Sequence, residues 1–109
     1  MLRNPESGAT KSGVAMLLDT GADVTLLPQA LADDLGLNYS TSSYELVGIE
    51  NSSSIAHAVH AEMVFLGLTF RGQFLLAEQD WGIIGRNILN VVSLTYDGPK
   101  LFWERSISR

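Results

Sequence analysis

The chain has 109 residues, no cysteine and a formal net charge of −5. That length suits one domain spanning 1–109. The missing thiols exclude disulfides, thiolate catalysis and zinc–thiolate centres, and the acidic balance argues against a nucleic-acid partner, which needs a basic face to meet phosphates. Hydrophobic residues make up 46% of the chain and charged residues 17%, a ratio that favours a packed core over disorder. No apolar run reaches the roughly 18 residues of a membrane span. Met1 to Gly8 has neither the basic stretch nor the apolar core of a signal peptide, so a cytoplasmic protein with no membrane partner is expected.

In chain order, a short strand ends at Arg3, and Asn4-Pro5-Glu6-Ser7-Gly8 turns into a second strand beginning near Ala9. Val14 to Leu18 is a continuous apolar run and predicts a buried strand. It stops at Asp19-Thr20-Gly21-Ala22-Asp23, a polar loop with a glycine, after which Val24 to Leu27 resume a strand. Pro28 suits the first turn of a helix, Gln29 to Leu35 follow, and Gly36 is a C-terminal stop. Tyr44 to Val47 and Ile55 to Phe65 predict the two arms of a long hairpin around the tip from Gly48 to Ser54. Further strands are expected at Leu66 to Phe70 and Gln73 to Leu76, with turns at Gly67 and Arg71-Gly72. Ile83-Ile84 is a short buried strand running into Gly85, and Arg86 to Asn90 can make a turn or two of helix. The tail, Val91 to Tyr96 and Lys100 to Glu104 around Asp97-Gly98-Pro99, predicts a hairpin. The sum is a mostly-β domain with one or two short helices.

Splitting a peptide bond with water needs a base to activate the water and an acid to protonate the leaving nitrogen. A carboxylate fixed at the end of a buried strand and followed by small residues suits that task. Asp19 stands in that position, Thr20 offers a hydroxyl to lock the loop, and Gly21 lets backbone come close to a substrate.

The run Leu17-Leu18-Asp19-Thr20-Gly21-Ala22-Asp23-Val24-Thr25 resembles the active-site motif of the retroviral-type aspartic proteases, the retropepsins. Ile83-Ile84-Gly85-Arg86-Asn87 resembles the hydrophobic-hydrophobic-glycine element that follows in the same family, and the separation of the two fits as well. The resemblance runs from Val14 to Glu104. Within the family, the closing Leu94 to Leu101 looks closer to cellular, bacterial-type members than to viral ones.

What the resemblance implies is a retropepsin-like closed barrel with a flap, forming half of a pseudo-pepsin dimer. Asp19 takes the catalytic role and Thr20 braces the two active-site loops across the dimer. Gly21, Ala22 and Asp23 line the cleft, Arg86 pairs with Asp23, and Ile84 and Gly85 brace the catalytic loop. Gly48, Ile49, Glu50, Asn51 and Ser52 form the flap over a polypeptide substrate. The expected activity is that of an aspartic endopeptidase using water as nucleophile, with no metal and no cofactor.

Only one Asp-Thr-Gly run occurs, whereas the chemistry needs two aspartates; a two-fold homodimer supplies the second Asp19 by symmetry. Two departures from the family stand out. Eighteen residues precede Asp19, fewer than in typical viral members, so the leading strand is short or truncated and Met1-Leu2-Arg3 resembles its tail. The flap tip has a single glycine, Gly48, where the family often has several. Two rival readings remain at this level: a non-catalytic module that keeps the fold for dimerisation or peptide binding, and a protease inactive as a truncated monomer. His57 and His60, three apart on a predicted strand, fall on opposite faces and are expected to be surface or packing residues. Trp81 and Trp103 are expected in the core or an interface, and Asp33-Asp34 on a solvated helix face.

Overall fold

Short apolar runs separated by glycine and polar turns fold into ten strands and two small helices among the described residues. The computed structural model describes residues 1–47 and 53–106, with side chains for 1–40 and 56–106, so Gly48 to Ser52, expected to form a flap, lie outside it. The strands are β1 (Leu2–Arg3), β2 (Thr10–Lys11), β3 (Met16–Leu18), β4 (Leu26–Pro28), β5 (Tyr39–Val47), β6 (Ser53–Phe65), β7 (Leu68–Ala77), β8 (Gly82–Ile84), β9 (Leu94–Asp97) and β10 (Phe102–Arg105). The helices are α1 (Gln29–Leu35) and α2 (Arg86–Leu89).

One sheet runs β2-β1-β6-β7-β4-β8-β3, with β5 also on β6, and curls into a half-barrel. Its two parallel pairings matter most for the site. β4 lies beside β7, and β3 lies beside β8 with Met16, Leu17 and Leu18 opposite Gly82, Ile83 and Ile84. A single antiparallel bridge, Leu26 to Ile83, joins β4 to β8. β9 and β10 make a separate two-stranded sheet.

The core lies inside the curl, where Leu2, Leu27, Val59, Ile84 and Ile88 are all but inaccessible to solvent. Burying each such side chain is worth about 1.5–3 kcal/mol. Helix α1 adds Ala32 and Leu35 from one face and leaves Asp33 and Asp34 exposed. It ends where Gly36 adopts a left-handed conformation (φ 62°), so that the Gly36 N–H donates to Asp33 O and the Leu37 N–H to Ala32 O. This is a Schellman closure, and Leu37 buries its side chain just beyond it. Buried Asn4 then ties the N-terminal turn to that helix end: its Nδ2 donates to the carbonyls of Leu35 (2.9 Å) and Gly36 (3.1 Å), and its Oδ1 accepts from the Glu6 and Ser7 N–H groups.

Three local expectations are corrected. Arg71-Gly72 is not a turn: β7 runs unbroken through it, with Gly72 opposite Ala61, because pairing to β6 overrides the local turn preference of glycine. Leu66 is not in a strand but forms the two-residue turn with Gly67, both at positive φ, that brings Phe65 opposite Leu68. The strand after the polar loop starts at Leu26, and Pro28 is its last residue, in extended conformation just ahead of α1.

Glu62 on β6 is buried between Arg3 on β1 and Arg71 on β7, its register partners on either side. Arg3 Nη1 donates to Oε2 at 2.9 Å and Arg71 Nε to Oε1 at 2.5 Å. The Arg71 hydrogen bonds, then those from Arg3, hold the Glu62 carboxyl below its ordinary value. No helix among the described residues is long and apolar enough to cross a membrane.

Candidate active site

Strand β3 delivers Asp19 to the rim of the half-barrel, and β8 fixes it there. The Asp19 N–H donates to the carbonyl of Ile84 at 3.0 Å, continuing the β3–β8 ladder by one residue. The chain then turns on the aspartate itself: Oδ1 accepts the Gly21 N–H at 2.9 Å and the backbone carbonyl accepts the Ala22 N–H at 3.2 Å. A Cβ on Gly21 would stand 3.2 Å from that carboxylate oxygen, so glycine leaves the carboxylate its room. Asp19 is half-buried, while Thr20, Gly21 and Asp23 are exposed.

The start of α2 holds the far side of the loop. The Arg86 N–H donates to Ala22 O at 2.8 Å and the Asn87 N–H to Asp23 O at 3.3 Å. The Arg86 guanidinium forms an ion pair with the Asp23 carboxylate. Both partners are well exposed, so the pair contributes direction more than stability. Gly85 admits the loop at this point: a Cβ there would lie 2.6 Å from the Val24 carbonyl carbon and 3.0 Å from Ala22 O. Any side chain would push the two segments apart.

Thr25 and Asn87 complete the joint, and the sequence reading assigned them no role. Thr25 is buried, its Oγ1 donates to Asn87 Oδ1 at 2.8 Å, and the same oxygen accepts the Gly85 N–H at 3.1 Å. The signal was present in the sequence: a threonine flanked by Val24 and Leu26 is a polar group headed for burial, and buried polar groups need partners.

An open apolar groove of about 370 Å³ is lined by Ala15, Met16, Leu17 and Trp81. Leu17 and Trp81 are 49% and 43% exposed, so Trp81 is not a core residue. Trp103 is half-buried, its ring 5.8 Å from that of Phe65. His57 and His60 are both exposed, and the His57 ring lies 6.0 Å from that of Tyr39.

A family model described as gag-polyprotein putative aspartyl protease matches residues 9–90, a span that includes both the Asp19 loop and the Gly85 turn. The chain belongs to this aspartyl protease family. Among solved structures, the EIAV protease complexed with the inhibitor HBY-793 matches with a TM-score of 0.55 and 25% sequence identity, over 70% of this chain and 73% of that one. No curated protein matches the chain. The matched region therefore runs from β2 through α2, while β1, β9 and β10 lie outside it.

Proposed function

We propose that the chain is an aspartic endopeptidase that works as a homodimer, with Asp19 of each copy meeting at the two-fold axis. The observation that carries this reading is the anchored Asp19 loop: one catalytic-type carboxylate per chain, held by Ile84 behind and by Arg86 and Asn87 on the far side. Family membership supports the same reaction class.

In such enzymes two carboxylates about 3 Å apart share one proton, because like charges that close cannot both ionise. The ionised Asp19 takes a proton from a water lying between the pair as that water attacks the scissile carbonyl. The protonated Asp19 donates to the carbonyl oxygen. The tetrahedral intermediate collapses as a proton passes to the departing nitrogen, restoring the shared-proton pair. The reaction so drawn uses water as nucleophile and calls on no metal or cofactor.

This chain's other residues take positioning roles. Thr20, exposed beside Asp19, is set to meet the partner loop through its hydroxyl. Asp23, oriented by Arg86, faces substrate backbone together with Gly21 and Ala22. Gly48 to Ser52 close over an extended polypeptide that pairs by backbone hydrogen bonds as a strand does. The groove of Leu17 and Trp81 takes an apolar substrate side chain next to the scissile bond.

The test compares cleavage of an unstructured protein by the wild type and by Asp19→Asn, from acid to neutral pH, with solution mass recorded alongside. Cleavage by a dimeric wild type and its loss in the variant are expected. Equal cleavage by both would overturn the assignment of Asp19, and an inert dimer would point to a binding module.

A further inference from the structure

Both apolar cavities that flank β3 share one side chain. Met16 lines the open groove with Leu17 and Trp81. It also lines a more enclosed cavity of about 180 Å³, together with Leu18, Met63, Ile84 and Trp103. All three methionines of the chain border this second cavity. They differ in access: Met1 at the chain's start is exposed, Met16 is half-buried and opens onto the groove, and Met63 is buried.

Met16 is packed tightly where it matters. It stands opposite Gly82 in the parallel ladder, and a Cβ on Gly82 would come within 2.8 Å of the Met16 ε-carbon and 2.6 Å of Leu26 O. The thioether therefore occupies the space that the missing side chain leaves. Two residues further on, Leu18 faces Ile84, and the next residue is Asp19, whose N–H rests on the Ile84 carbonyl.

We propose that Met16 is a redox switch on the catalytic loop, and that its oxidation by a peroxide unseats Asp19. In the reaction the sulfur lone pair attacks one oxygen of hydrogen peroxide. The O–O bond breaks as the S–O bond forms. Sulfur is oxidised by two electrons to the sulfoxide, and the other oxygen takes a proton and leaves as water. The new oxygen has no space on the Gly82 side, and turned toward the open groove it draws the thioether out of the gap that Gly82 leaves. On the cavity side it meets apolar side chains, with the Trp103 indole as the one lining side chain able to donate a hydrogen bond. A polar group placed there without a partner is unfavourable, so β3 shifts against β8 and carries Asp19 with it. Methionine sulfoxide is reducible enzymatically, which makes the change reversible.

The effect on proteolysis rests on the aspartic-peptidase reading; the oxidation and its structural cost do not. The experiment treats the whole chain with graded hydrogen peroxide and locates the added oxygen by peptide mass mapping. Thermal unfolding and proteolysis are followed on the same samples. Wild type is expected to gain oxygen at Met16 before Met63, with a lowered unfolding temperature and proteolysis reduced about tenfold. Methionine sulfoxide reductase restores both. Met16→Leu, which conserves volume, keeps both under peroxide. Met16→Gln, a polar side chain at the same place, behaves without oxidant as the oxidised wild type does. Oxidation of Met16 with unfolding temperature unchanged would overturn the proposal, as would peroxide sensitivity retained in full by Met16→Leu. If the wild type shows no proteolysis at all while Met16 oxidation still lowers the unfolding temperature, the reading of the enzyme fails and that of the switch's structural step stands.

Discussion

The Asp19 loop and the β9–β10 hairpin are both short excursions from the half-barrel, and they are held in opposite ways. Beyond its own turn, the loop takes its hydrogen bonds from residues more than sixty positions away, Ile84, Arg86 and Asn87, and buried Thr25 locks the joint from within. The hairpin is mostly satisfied by itself, through four register pairs and a Thr95–Ser106 hydroxyl contact at 2.8 Å. Its ties to the rest of the fold include the Trp103 ring beside Phe65 and an Arg105 hydrogen bond to Leu66 O at 3.0 Å. It also carries large apolar side chains in solvent, Tyr96 at 74% and Leu101 at 88% exposure. The loop is thus placed by distant segments that agree on its position, whereas the hairpin is a mostly local unit resting on the β6–β7 turn.

The comparison breaks most visibly at Gly85. Gly85→Ala forces a methyl against the Val24 carbonyl, and a loss of about 3 kcal/mol in urea unfolding is expected, with no proteolysis. Thr25→Val keeps the shape but strands the Gly85 N–H and the Asn87 side chain; unfolding free energy should fall by about 1–3 kcal/mol.

A third test concerns acid. Since the folded-state Glu62 carboxyl titrates below its unfolded value, its stabilisation is present above that unfolded value and fades as pH falls through the folded one. Wild-type unfolding temperature should therefore drop as pH goes from about 5 toward about 2, and Glu62→Gln should flatten part of that dependence. At the small end, Leu101→Ser in the hairpin should change unfolding free energy by no more than about 0.5 kcal/mol. A large loss there would show that the hairpin is integral to the monomer fold and would erase the contrast.

The same contrast explains what could be read in the sequence. Helix α1 was legible to within a residue because its limits are set locally, by Pro28, which stands just ahead of its first turn, and by Gly36 after it. The β9–β10 hairpin was legible in outline for the same reason, but its first strand starts at Leu94 rather than Val91, Asp97 pairs with Phe102, and the turn runs from Gly98 to Leu101. The Asp19 loop was legible as a motif and the Arg86–Asp23 ion pair followed from resemblance. The hydrogen-bonding roles of Thr25 and Asn4 were not, because their partners lie about sixty and thirty residues away. Arg71-Gly72 misled because its local chemistry says turn, while its neighbours across the sheet say strand. Glu62, an acid inside an otherwise apolar run, gained its meaning only when β1 and β7 brought their arginines to it.

The parallel pairing of β3 with β8 has a temporal consequence. The ribosome releases Met16 to Asp19 long before Gly82 to Ile84, and closing a loop of that span is entropically slow compared with forming the intervening hairpins. A nascent chain therefore carries its aspartate on an unanchored segment until Gly82 to Ile84 have emerged. The geometry that would allow peptide hydrolysis comes into being only then, after most of the surrounding β-structure is available to fold.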